Sequence, residues 1–180
     1  MHLTGLMTAD EVLRLNLPDK RTELIRGRLV VREPAGARHG AVVMRMAYRI
    51  TAHVEAYHLG RVYAAETGFK IESNPDTVRA PDVAFIATNR LPREEPLGYP
   101  TWPPDLAVEV QAHNDHPADT LEKVAHWLKA GVRLVWLVDT GRRIARVYRA
   151  DGTESLLDTG GVLDGEDLLP GFRCPLQDLW

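Results

Sequence analysis

The segment DLAVEVQ, which begins at Asp105, constrains the fold more than any other part of the chain. From Leu106 to Val110 it is apolar except for Glu109, so it reads as a strand that belongs in the core. Side chains alternate along a strand. Leu106, Val108 and Val110 therefore share one face, and Ala107, Glu109 and Gln111 share the other. An ionised carboxylate at mid-strand costs several kcal/mol unless it is paired or bound to a metal. A fold for this chain has to explain Glu109.

A second strand poses the same question. DVAFIA starts at Asp82, directly after Pro81, where a side chain can still reach a cleft. Around these two strands the pattern is mixed. Thr8-Ala-Asp-Glu11 is a capping box for a short helix through about Leu15. TELIRGRLVVRE, from Thr22, is a hairpin turning at Arg26-Gly27. A long amphipathic helix follows His39, with Val42, Val43, Met46, Ile50 and Val54 at helical spacing and Gly60 as its expected stop. RVYAAETGFKIE, from Arg61, reads as strand. NRLPREEPLGYPTWPP, from Asn89, is a polar, Pro-rich loop. Pro117 opens another helix, with Leu121, Val124, Ala125 and Leu128 as its apolar stripe and Gly131 as its stop. RLVWLVD from Arg133 and RIARVYR from Arg143 form a further strand pair, and the tail closes with a strand or turn near Leu168. The order predicts a mixed α/β or α+β layer fold.

At 180 residues the chain has the length of one domain, and residues 1–180 are read as such. The single Cys174 excludes an internal disulfide framework and fits a reducing cytoplasm. No apolar run approaches a membrane span, and no signal-peptide pattern opens the chain, so a membrane partner is not expected. The net charge of −3 gives no global case for nucleic acid. Between Lys20 and Ile50, however, eight Lys/Arg face two Glu, a local net of +6. That arginine-rich stretch is either a solvated surface or a face for phosphates.

Two carboxylates converging from neighbouring strands make a hard oxygen site suited to magnesium. Lys123, beside the apolar stripe of the following helix, can reach a phosphate or an attacking water near the two acids. A plain Lys123–Glu109 salt bridge satisfies the same pattern.

These residues resemble the PD-(D/E)XK nuclease signature. The more specific resemblance is to the Uma-two family of restriction-endonuclease-like proteins. It rests on ELIRGRLV from Glu23, RHG at Arg38, RAPDVAFI at Arg79, DLAVEV at Asp105, KVAHWLKAGV at Lys123, VWLVD at Val135 and LLPGF at Leu168. The blocks stand in family order and cover roughly Thr8 to Trp180. The resemblance implies a central mixed sheet flanked by helices. It implies Asp82 and Glu109 as metal ligands, Mg²⁺ or Mn²⁺ as cofactor, and nucleic acid, DNA above all, as substrate. The lysine usually found two residues after the Glu would stand at Gln111, and Lys123 takes its place. Glu23 matches the family's early acid and would join the metal shell through water. His39 and Arg79 match polar positions near the site, and Arg26, Arg28 and Gln111 are candidate substrate contacts. One departure is Ala112-His113, where the family usually has Ser-Pro.

Other signals are weaker. His113-x-x-His116 has metal-like spacing but no supporting ligand pair. No serine elbow and no phosphate-binding glycine loop occurs. Trp127 is expected in the core, and Trp102 in the Pro-rich loop is the better candidate for substrate contact. Trp180 is expected to pack, against a second subunit in a homodimer or higher homo-oligomer. The reading is a Mg²⁺-dependent endonuclease. Two alternatives keep the fold without the activity: a nucleic-acid-binding module and a protein-interaction module whose acids and lysine form an ion-pair network.

Overall fold

The computed structural model describes residues 5–15, 17, 20–112 and 115–180. Its elements are α1 (Ala9–Arg14), β1 (Arg21–Ile25), β2 (Arg28–Arg32), α2 (Ala37–Ala56), β3 (Gly60–Ala64), β4 (Phe69–Glu72), β5 (Thr77–Arg79), β6 (Val83–Ala87), β7 (Leu106–Gln111), α3 (Pro117–Lys129), β8 (Leu134–Asp139), β9 (Ile144–Arg149), β10 (Glu154–Leu157), β11 (Val162–Asp164) and β12 (Arg173–Pro175). They form a mixed α+β architecture. A six-stranded sheet runs in the order β10-β9-β8-β7-β6-β3, a four-stranded sheet in the order β2-β1-β5-β4, and β11 pairs with β12. In the six-stranded sheet β7 and β8 are parallel, and the other pairs are antiparallel. A parallel pair needs a crossover, and α3 supplies it.

The alternation along β7 appears as two separate cores. Leu106, Val108 and Val110 join Val83, Phe85 and Trp136 beneath α2, which contributes Val42, Met46, Ile50 and Val54. Ala107 joins Ala84, Ile86, Val135 and Leu137 beneath α3, which contributes Val124 and Trp127. Glu109 lies on that second face. β7 is buried throughout except at Gln111, which is half-buried. The four-stranded sheet leans on α1, where Ala9 and Val12 pack on Leu24 and Val78.

Several expectations hold. Thr8 and Glu11 form the capping box of α1. Arg26 and Gly27 make the hairpin turn, both at positive φ (48° and 75°). Gly131, at φ 98°, follows the end of α3.

Others are corrected. Gly60 is not the stop of α2: the helix ends at Ala56, and His58 takes the left-handed turn at φ 53°. Gly60 instead begins β3, where a Cβ would stand 2.0 Å from the Ile86 carbonyl oxygen. The glycine lets β3 approach β6. The stretch from Arg61 is two strands, β3 and β4, in different sheets, and β5, β10, β11 and β12 add to the expected number. On α3 the buried positions are Val124, His126 and Trp127, while Leu121 is 51% exposed. Trp102 packs against the α3-side core, half-buried, with its indole nitrogen buried. Trp180 is half-buried and packs on the α2-side core of its own chain. Among the described residues, no helix is long and apolar enough to cross a membrane.

Candidate active site

Asp82 precedes β6 and is tied to β7 on both sides of Glu109. Its backbone N–H donates to the Val108 carbonyl at 3.0 Å, and its Oδ2 accepts from the Val110 N–H at 2.8 Å. These bonds fix a carboxylate at the place where β6 meets β7. Glu109 follows one pleat along. Its Oε1 accepts from Trp127 Nε1 at 2.7 Å, and its Oε2 lies 2.8 Å from Lys123 Nζ. Lys123 also donates to the Ala80 carbonyl at 2.8 Å and stands 3.2 Å from Glu23 Oε1. Asp82, Glu109 and Lys123 therefore line one cleft of about 420 Å³, with His39, Gln111 and Arg21 on its walls. His39 Nε2 is 3.4 Å from Asp82 Oδ2. The first turn of α2 and the cap of α3, at Gly36 and His116, open onto the same cleft. Helix N-termini present unpaired N–H groups and a favourable dipole to an anion.

The charges are interlocked. Burial pushes the Glu109 carboxyl up to about 7; Lys123 opposes this, and the neighbouring Asp82 charge adds to it. Burial also works against the Asp82 charge, but His39 and Lys123 outweigh it and hold Asp82 below its ordinary value. Glu23 is likewise held low, because Lys123 and Arg79 overcome its burial. Burial acts to lower the Lys123 amine, yet the surrounding carboxylates of Glu109, Glu23 and Asp82 raise it. Asp82 thus stays ionised, and Glu109 titrates within reach of neutral pH.

The donor set suits a hard divalent cation. Magnesium takes one or two carboxylates and completes its shell with water and substrate oxygens. Among the described residues no cluster of three or more His, Cys, Asp or Glu side chains is placed to hold a metal. A zinc-type cage is therefore not formed by them, and Asp82 and Glu109 are two hard oxygen donors lining one cleft. His113 lies outside the described residues. Cys174 is buried, with its thiol pushed up to about 11, and offers no nucleophile.

The other sequence candidates separate. Gln111 and His39 line the cleft as expected. Arg79 does not: it is 1% exposed, donating to Glu23 Oε2 at 3.1 Å and to His126 Nδ1. It supports Glu23 from beneath and cannot reach a substrate. Glu23 itself is spent on Arg79, Lys123 and the Ala80 N–H. Arg26 and Arg28 sit at the turn end of the β1–β2 hairpin. The cleft lies at the other end, where Arg21 pairs in register with Arg32. Five residues of strand separate the two ends, roughly 15 Å. Arg45 and Arg49 are engaged by the C-terminal segment, through the Leu179 carbonyl and Asp178.

Two arginines that do reach the site were missed: Arg21 and Arg32 both line the cleft. Arg21 Nη2 donates to Asp82 Oδ1 at 3.2 Å. The signal was present: Arg21 and Glu23 are two apart on one strand, so they share a face. The Trp127–Glu109 hydrogen bond carried no such signal, because Trp127 reads as an ordinary core residue.

Residues 9–177 match the Uma2 family, described as "Putative restriction endonuclease". The fold is similar to a crystal structure described as a "putative nuclease belonging to DUF820" from Anabaena variabilis ATCC 29413. The TM-score is 0.82 at 22% identity, covering 96% of this chain and 97% of that one. At that identity the likeness shows a shared restriction-endonuclease-like fold. No curated protein matches the chain.

Proposed function

The chain belongs to the Uma2 family, and we propose that it is a divalent-metal-dependent endonuclease of the PD-(D/E)XK type, acting on DNA phosphodiester bonds. One observation carries this reading. Asp82 and Glu109 share one cleft with Lys123, whose amine lies 2.8 Å from Glu109.

Asp82 and Glu109 would hold the Mg²⁺ or Mn²⁺ ion. Such an ion, when bound, polarises the phosphate and acidifies a water. The protein's own residues do the rest. Two helix N-termini and Arg21 favour the phosphate's charge at the cleft. Lys123 is a fixed cation beside the reacting centre, held by Glu23 and the Ala80 carbonyl, and is placed to offset the charge that builds on the phosphate oxygens. Arg79 and His126 keep Glu23 in position. Lys123 is also the counter-ion of two buried acids, which is the one feature that favours a purely structural network.

Single-turnover cleavage separates the readings. Labelled single- and double-stranded DNA and RNA are incubated with Mg²⁺ or Mn²⁺ and compared with EDTA. Metal-dependent cutting of DNA, abolished by Asp82→Ala and by Glu109→Ala, is the expected result. Wild-type protein that cuts nothing above the EDTA control would overturn it.

A further inference from the structure

A second groove opens from the cleft past Gln111 and Leu137 and runs toward β9, with a volume of about 750 Å³. Strand register explains its floor. Glu109 of β7 stands beside Leu137 of β8, and Leu137 beside Arg146 of β9. With strands about 4.8 Å apart, Arg146 lies roughly 10 Å from Glu109 across the sheet. Ile144 and Tyr148, one pleat to either side of Arg146, line the same groove. The opposite wall is α3, which presents Leu121 there. An exposed leucine and a half-buried tyrosine lining one groove make a place for a flat apolar group.

The rim carries both charges: Arg142, from the β8–β9 turn, and Arg146 reach the groove beside Asp115, Asp139 and Glu154, of which Asp115 and Asp139 also accept backbone N–H bonds from their own turns. Their acidic neighbours hold them loosely: Arg142 is 3.9 Å from Asp139 and Arg146 is 3.9 Å from Glu154. Those separations are ion pairs without hydrogen bonds. Two guanidiniums over an aromatic and aliphatic floor match a nucleic-acid strand, with phosphates on the cations and bases on the floor.

We propose that this groove is a strand-binding subsite for the nucleotides flanking the scissile phosphodiester. It takes an unpaired strand, because a floor that contacts base faces needs bases out of the stack. The proposal rests on the nuclease reading above and adds the form of its substrate.

The test uses the whole chain and three probes. Fluorescein-labelled oligothymidylate, the same strand annealed to its complement, and the small diester bis(p-nitrophenyl) phosphate are compared. Binding is followed by anisotropy in EDTA, and hydrolysis of the small diester with Mn²⁺. The unpaired strand should bind more tightly than the duplex. The Arg142→Glu/Arg146→Glu variant should lose at least roughly tenfold in oligothymidylate affinity. Its salt dependence should flatten by about 1.4 in log–log slope, from two phosphates at about 0.7 each. Leu121→Asp, at an exposed helix position, should weaken binding by roughly fivefold or more. Small-diester hydrolysis should stay at the wild-type rate in both. Thermal melts check folding, and if the double variant fails to fold, Leu121→Asp decides. Wild-type affinity in the variants, or equal affinity for duplex, overturns the subsite while leaving the nuclease reading intact. Wild-type protein that hydrolyses the small diester but binds no oligothymidylate does the same. Protein that neither binds nor hydrolyses any probe overturns both.

Discussion

Trp127 donates its indole N–H to Oε1 of Glu109 at 2.7 Å, deep beneath α3. A core tryptophan thus holds a cleft carboxylate in one orientation. Trp127→Phe keeps most of the apolar contact and deletes the donor. The buried Glu109 oxygen is then left unpaired, which costs about 1–3 kcal/mol. A lower melting temperature and weaker Mn²⁺ binding at pH 7, by calorimetry, are expected. Unchanged manganese affinity would show that Trp127 only fills space.

Glu109 also sets a pH dependence. Its folded carboxyl titrates near 7 against an ordinary value of 4.5. Between those values the folded protein keeps a proton that the unfolded chain releases. That stability is complete below about pH 4.5 and is lost as pH rises through about 7. His126 opposes this slope, since burial and Arg79 hold it below its ordinary value. The clean quantity is therefore the difference between wild type and Glu109→Gln in metal-free buffer. The variant should gain on the wild type from pH 5 to pH 8, at a slope of at most about 1.4 kcal/mol per unit. A flat difference would mean that Glu109 is ionised throughout.

Lys123 tests whether the cluster is only structural. Lys123→Met removes the cation shared by Glu109 and Glu23. Leaving two buried acids unbalanced costs about 3–5 kcal/mol in metal-free protein. Mn²⁺ should restore much of the melting temperature, because the acids regain a cation. Cleavage should still fall by about 10²–10³-fold, since the cation held beside Glu109 is lost. Manganese that restores neither stability nor binding would favour the structural network.

The parts legible in the sequence were those set by strand alternation. The period of two separated Glu109 from Leu106, Val108 and Val110, and the fold covers the first face with α3 and the second with α2. Capping chemistry located α1, and Pro117 located the start of α3. The misplacements arose where tertiary distance decides. Arg26, Arg28 and Arg21 look alike along the chain, but only hairpin register shows which end meets the cleft. Arg79 matches a site position only through the family resemblance, and two buried partners consume its donors. Leu121 fits a helical stripe, but α3 rotates Trp127 into the core instead.

That hairpin register gives the last prediction. Arg21 bonds Asp82 at the cleft, whereas Arg28 lies at the far end of the same hairpin. Arg21→Ala should weaken binding of a DNA duplex or single strand and reduce the salt slope by about 0.7–0.9, one phosphate contact. It should also free Asp82 Oδ1 from a competing cation, so manganese affinity should not fall. Arg28→Ala should change neither quantity. Anisotropy titrations at several salt concentrations, with calorimetry for the metal, read both. Equal losses in the two variants would mean that a diffuse basic surface, and not the cleft-end arginine, attracts the substrate. A fall in metal affinity for Arg21→Ala would mean that Arg21 is needed to orient Asp82, so its hydrogen bond would act on the ligand and not on the phosphate.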